Sequence, residues 1–220
     1  RLAQDRAPDT AAERLELGIR LSPLSGAGPA NVTLMCHSLV TPAIFWEGGI
    51  RKEGAPVGPL ARFDYLGSGT FPAQRFALPD AALIQNQTGV GTVSTHFAVV
   101  PGFLRFNLAF AVKLLAWAGP LAGTILGAFR FSLWLLRVIL LRKVPSSVAM
   151  TVVADRDTAN ERQVRARFAD GQGATAAGVA AVVLAIQRQR PPDGVHTMAD
   201  LCTLPALEDD LRTLGCTFDW

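Results

Sequence analysis

The stretch Gln163-Val-Arg-Ala-Arg-Phe-Ala-Asp-Gly-Gln-Gly-Ala-Thr-Ala-Ala177 decides the fold, because Gly171 to Ala176 spells Gly-x-Gly-x-x-Ala between a strand pattern and a helix pattern. Taken as a dinucleotide fingerprint, it would make the chain a doubly wound nucleotide-binding domain. That reading needs a second parallel strand with an acidic residue about 20 residues on, to hold the ribose. The window in question holds Arg188, Arg190, Pro191 and Pro192 instead. It also needs a central strand that is apolar on both faces. Here Val164, Ala166 and Phe168 alternate with Gln163, Arg165 and Arg167, the period of a strand with one wet face. Val148 to Ala154 is rich in β-branched residues and Asp155 to Glu161 is a polar turn, so a β-hairpin is the expectation. Gly171 to Gly173 then ends the hairpin, and Thr175 to Gln187 reads as a helix stopped by Pro191-Pro192.

Toward the C-terminus, Pro205 to Leu214 reads as a short helix with Gly215 as its cap, followed by extended Cys216 to Phe218. Toward the N-terminus, Leu15, Leu17, Ile19 and Leu21 alternate within Arg14 to Leu24 as in a half-buried strand. A short helix through Leu34, Met35, His37, Leu39 and Val40 ends at Thr41-Pro42. Trp46 to Val57, with Gly48-Gly49 and Gly54, reads as a hairpin-like loop between short extended pieces. Phe63 to Leu66, Gln74 to Leu78 and Ala82 to Ile84 are taken as strand or loop, punctuated by Pro72 and Pro79. Thr92 to Val100 alternates as a strand. The fold class that follows is α/β (α+β): a mixed sheet covered by helices on one face, with an apolar helical hairpin inserted and no complete Rossmann domain in the chain.

The insertion spans Pro101 to Val144, almost wholly apolar but interrupted by Arg105, Lys113, Arg130, Arg137, Arg142 and Lys143. Its longest uncharged run, Leu114 to Phe129, has 16 residues, whereas a spanning helix needs about 20. Pro120 interrupts that run, so two helices meeting near Gly119-Pro120 fit better than one transmembrane pass. Gly119, Gly123 and Gly127 recur at the spacing of one helical face, which lets backbones approach closely in lipid. Trp117 and Trp134 with flanking Arg and Lys suit a membrane interface. These five residues are the candidates for membrane contact; the alternative is a hairpin buried in the fold or forming a dimer contact. The chain thus divides into residues 1–100, the insertion 101–144, and residues 145–220.

Half of the 220 residues are hydrophobic, enough for a sizeable core, and the formal charge is +3 from 21 basic and 18 acidic residues. No Lys/Arg block tracks a phosphate backbone, so nucleic acid is not an expected partner. Cys36, Cys202 and Cys216 lack zinc spacing and read as reduced thiols. His37, His96 and His196 lie on different elements, and no HExxH, P-loop, Gly-x-Ser-x-Gly or EF-hand pattern occurs, so no catalytic or metal residue is assigned. Asp209-Asp210 with Glu208 reads as a solvated helix face. Arg1 stands in place of an initiator Met, from which a lost upstream portion is expected, with a processed terminus or an omitted tag as the alternatives.

The run Asp193-Gly-Val-His-Thr-Met-Ala199, followed by Leu204 to Phe218, resembles the end of saccharopine-dehydrogenase-like proteins, where a Gly-Val-x-Thr-Pro-Ala run precedes a final helix and strand; Met198 stands at the proline. Asp170 to Gly178 resembles that family's passage from hairpin to helix, and Gly48 to Gly54 its Gly-x-Arg-x-Gly turn. Phe103 to Lys143 resembles the Leu/Arg-rich insertion of the branch that includes trans-acting enoyl reductases.

The resemblance implies the C-terminal substrate and dimerisation domain of an NAD(P)-dependent oxidoreductase. NADP or NAD would sit on an N-terminal Rossmann domain not visible in this chain, so this chain alone would bind no cofactor and not turn over. A hydrophobic or lipid-linked substrate, a homodimer, and association with the cytoplasmic side of a membrane belong to the same implication. Arg51, Lys52 and His96 are the candidate substrate-orienting groups, because they border the Gly-rich turn and the strand before the insertion. Two rivals stand beside this reading: a non-catalytic membrane-associated scaffold or interaction protein, and a small complete enzyme using Gly171 to Ala176 for a nucleotide.

Overall fold

The structure, a computed structural model, describes residues 12–21, 33, 36–100, 102–139, 147–189, 194 and 204–219. Leu34 and Met35 of the expected first helix, His196, Cys202 and the Asp193 to Ala199 run apart from Gly194 lie outside the described residues; Cys36 to Ser38 are helical. The strands are β1 (Arg14–Leu21), β2 (Ala43–Glu47), β3 (Ile50–Gly54), β4 (Val57–Tyr65), β5 (Gly69–Phe76), β6 (Thr92–Val99), β7 (Val148–Ala154), β8 (Arg162–Phe168) and β9 (Cys216–Asp219). The helices are α1 (Asp80–Thr88), α2 (Phe103–Ala118), α3 (Ala122–Ile139), α4 (Gly171–Gln189) and α5 (Leu204–Thr213), with a 3-10 turn at Gly119–Leu121.

The nine strands of the described residues form one mixed sheet, seven of them in the order β3-β2-β6-β1-β7-β8-β9, with β5 branching from β6 and β4 pairing β5. Its parallel pair is β1 with β6, from Arg14 opposite Thr92 to Leu21 opposite Val99. Strand alternation sorts the two faces. Leu15 and Val93 pack with Ala81 of α1, while Ile19 and Phe97 pack with Ala111 and Leu115 of α2 and with Ile125 and Phe129 of α3. That is the helix-covered face. On the opposite face the long β4–β5 hairpin, pinned to β6 by Gln74 opposite Phe97, folds back over the sheet so that Phe63 and Tyr65 pack on Ala98, Ala149 and Val153. At Gly18 the hairpin lies directly on the sheet: a Cβ there would lie 2.5 Å from the Phe63 ring, so no larger residue fits under the hairpin.

Three local expectations are corrected. Ala82 to Ile84, taken as strand or loop, lie inside α1, which starts after Pro79. Proline is favoured at a helix start because its missing N–H is orphaned there anyway. The expected helix from Thr175 begins four residues earlier, at Gly171, because the Asp170 carboxylate accepts the Gly173 N–H at 2.7 Å and caps it. Gly119 leaves the glycine stripe: it takes φ +51 in the turn between α2 and α3, and a Cβ on Gly123 or Gly127 would meet nothing within 4 Å. The two helices do meet at Gly119-Pro120, as the interrupted apolar run implies.

Candidate functional site

Two features stand out on this scaffold: a polar cluster between sheet and hairpin, and an apolar outer surface on α2–α3. The polar cluster centres on Glu16, 2% exposed and flanked by Leu15 and Leu17 on the other face. A buried carboxylate is costly unless it is paired and hydrogen-bonded. Arg156, in the turn after β7, donates Nε to Glu16 Oε2 at 2.5 Å, and Arg14 donates Nε to Oε1 at 2.9 Å. Arg156 also donates Nη1 to the Arg62 carbonyl at 2.9 Å and stacks 4.5 Å from the Phe63 ring centroid. One guanidinium therefore ties β1, the β7–β8 turn and the folded-back hairpin together.

His96 lies one strand over, opposite Gly18, with its Nε2 at 3.0 Å from Ser94 Oγ and its ring against Phe63. Burial pushes its pKa down to about 4, more than the Glu16 carboxylate lifts it; Arg156 and Arg75 push it further down, and a backbone group of Ala73 favours the charged form without closing a hydrogen bond to Nδ1. Ser94, His96 and Glu16 invite comparison with a nucleophilic triad, but a triad needs its carboxylate on the imidazole. Here both Glu16 oxygens are held by arginines and Nδ1 has no partner, so no carboxylate orients the imidazole, and it is not basic near neutral pH. The cluster is an interior fastening.

Arg51 and Lys52 lie elsewhere, on the edge strand β3, two positions from β6 in the sheet. Both are exposed and ion-paired, Arg51 to Glu53 at 2.8 Å and Lys52 to Glu47 at 2.5 Å. The structure thus does not bring His96 together with Arg51 and Lys52. Sequence reasoning passed over Glu16 and Arg156; the available signal was a lone acid inside an apolar strand, which demands a buried cation from somewhere.

Gly171 to Ala176 does not have the geometry of a phosphate cradle. The preceding strand β8 is antiparallel to both neighbours, and Asp170 places a carboxylate at the helix N-terminus where a pyrophosphate would sit. Among the described residues no group of His, Cys, Asp and Glu could hold a metal ion.

The hairpin α2–α3 buries Ala111, Leu115, Ile125 and Phe129 toward the sheet and turns Phe110, Trp117, Leu121, Phe131 and Trp134 outward. Trp117 is 86% exposed, and Phe131 stacks with Trp134 at 5.9 Å. Lys113 and Arg130 are exposed on the same two helices. No helix of the described residues is long and apolar enough to cross a membrane.

No family model matches this chain, and no curated protein matches it. Among solved structures it is similar to apo histidine-tagged saccharopine dehydrogenase (L-Glu forming) from Saccharomyces cerevisiae, at 9% identity and a TM-score of 0.49, covering 94% of this chain and 67% of that one. A likeness of that strength says nothing about activity.

Proposed function

We propose that this chain is the substrate-side domain of a saccharopine-dehydrogenase-like, NAD(P)-dependent oxidoreductase, laid against a membrane surface by α2–α3 to reach a hydrophobic or lipid-linked substrate such as an enoyl compound. The observation that carries the membrane part is the outer face of α2–α3, where Phe110, Trp117, Phe131 and Trp134 face outward, while no helix of the described residues is long and apolar enough to span. From residue 81 to residue 154 every charged residue is Arg or Lys, although the whole chain is only +3. A basic apolar surface of this kind suits the anionic cytoplasmic leaflet, where aromatic rings settle at headgroup depth and cations meet lipid phosphates.

The oxidoreductase part is supported by the order of motifs, with hairpin, glycine-started helix, final helix and final strand following the insertion as in the family the sequence resembles. On this reading the nicotinamide dinucleotide is held by a separate Rossmann domain, and the isolated chain does not turn over. Its own contribution would be apolar surface that excludes water from the reacting centre.

The coding sequence ahead of Arg1 tests this part. A strand, a Gly-x-Gly-x-x-Gly/Ala turn and an acidic residue after the next strand, with NAD(P)H oxidation by the longer protein, would support it. Their absence would remove the oxidoreductase reading and leave a membrane-bound scaffold.

A further inference from the structure

A second site lies on the hairpin side of the sheet, away from α2–α3. Arg20 pairs with Ala149 across β1 and β7, and Ala149 pairs with Arg167 across β7 and β8. The two arginines therefore stand in one cross-strand row, roughly 10 Å apart at Cα, with a small side chain between them. Both point under the hairpin. The Arg20 guanidinium lies 4.7 Å from the Phe71 ring centroid, and Arg167 Nη1 occupies the place a side chain on Gly67 would need. Gly67 is at φ +65 in the tip of that hairpin, so the turn and the arginine share the same requirement for glycine.

The carboxylates on this side are already taken. Glu16 is held by Arg14 and Arg156, while Asp64 and Asp219 are both held by Arg165. Among the described residues Arg20 and Arg167 meet no carboxylate. Beside them the Tyr65 hydroxyl is buried without a hydrogen-bond partner in a residue only 1% exposed, and Arg20 Nε is buried and unpartnered as well. A buried donor left unsatisfied is costly, and two neighbouring, partly buried arginines repel. In keeping with that, the Arg20 pKa is lowered, by burial first and by Arg167 in addition, against an upward pull from Tyr65.

We propose that Arg20 and Arg167, with the Tyr65 hydroxyl, form a binding site for an oxyanion, a carboxylate or phosphate group carried by a small ligand. The fork of each guanidinium matches either group bidentately, and one bound anion would satisfy the two arginines and the buried hydroxyl together.

The site is tested on the whole 220-residue chain by following Tm against sodium phosphate and against sodium malonate, with sodium chloride at matched ionic strength. Saturable stabilisation beyond chloride is expected, by phosphate if the ligand is a phosphate ester and by malonate if it is a carboxylate. Arg20→Gln and Arg167→Gln should each weaken apparent affinity at least about tenfold, while Arg167→Lys keeps part of it. If Arg20→Gln fails to fold, Arg167→Gln decides alone. No stabilisation beyond chloride, or equal stabilisation of the Gln variants, overturns the proposal. Neither substitution touches α2–α3, so vesicle binding is unaffected and the two proposals stand or fall separately.

Discussion

Arg156 reaches from the β7–β8 turn to Glu16 in the middle of β1, closing a 2.5 Å ion pair between residues 140 positions apart beneath the Phe63 ring. The pair joins the first strand of the sheet to the hairpin that follows the insertion. It makes the sheet on either side of α2–α3 one cooperative body.

Breaking that pair from one side strands a charge. Arg156→Ala or Glu16→Ala should cost about 3–5 kcal/mol, read as a lower urea midpoint. Arg51→Ala, which removes an exposed pair with Glu53, should leave the midpoint nearly unchanged.

Acid should weaken the fold through His96. Its folded pKa of about 4 lies below the ordinary value of 6.5, so the unfolded chain binds the proton first. The stabilisation is complete above pH 6.5, is lost as pH falls from 6.5 toward 4, and amounts to roughly 3 kcal/mol. Unfolding free energies at pH 7 and pH 4.5 should show this drop, and His96→Gln should lack most of it.

Gly18 sets the spacing between sheet and hairpin. Gly18→Val would drive a side chain into Phe63 and should cost about 1–3 kcal/mol or more, with loss of near-ultraviolet circular dichroism from the Phe63 and Tyr65 environment. Wild-type stability in that variant would mean that the hairpin lies further from β1.

On the apolar hairpin, Trp117→Ser with Trp134→Ser should weaken vesicle binding at least about tenfold. Lys113→Glu or Arg130→Glu should weaken binding to anionic vesicles by roughly fivefold per unit charge, an effect that fades in high salt. Thermal stability should change little, because all four side chains are exposed.

Strand period carried most of the fold. β1, β6 and β8 were legible because their apolar residues alternate, and β7 because of its β-branched content. α1 was not, because its buried side reduces to Ala81 and little else, and Pro79, which in the sequence reads as the end of an element, is the start of this one. The break at Gly119-Pro120 was visible as a charge-poor run too short to span, but Gly119 could not be placed in the turn without its backbone angle. The site was less legible still. Glu16 with Arg156, and Arg20 with Arg167, are partners only through the register of strands remote in sequence, and no local spacing announces such pairs.

The most direct measurement is flotation of the 220-residue chain with phosphatidylcholine vesicles, with and without phosphatidylserine. Membrane docking by α2–α3 predicts that the chain floats with the phosphatidylserine vesicles, that salt weakens this, and that Trp117→Ser with Trp134→Ser abolishes it. A chain that stays at the bottom of the gradient with every lipid composition would contradict it.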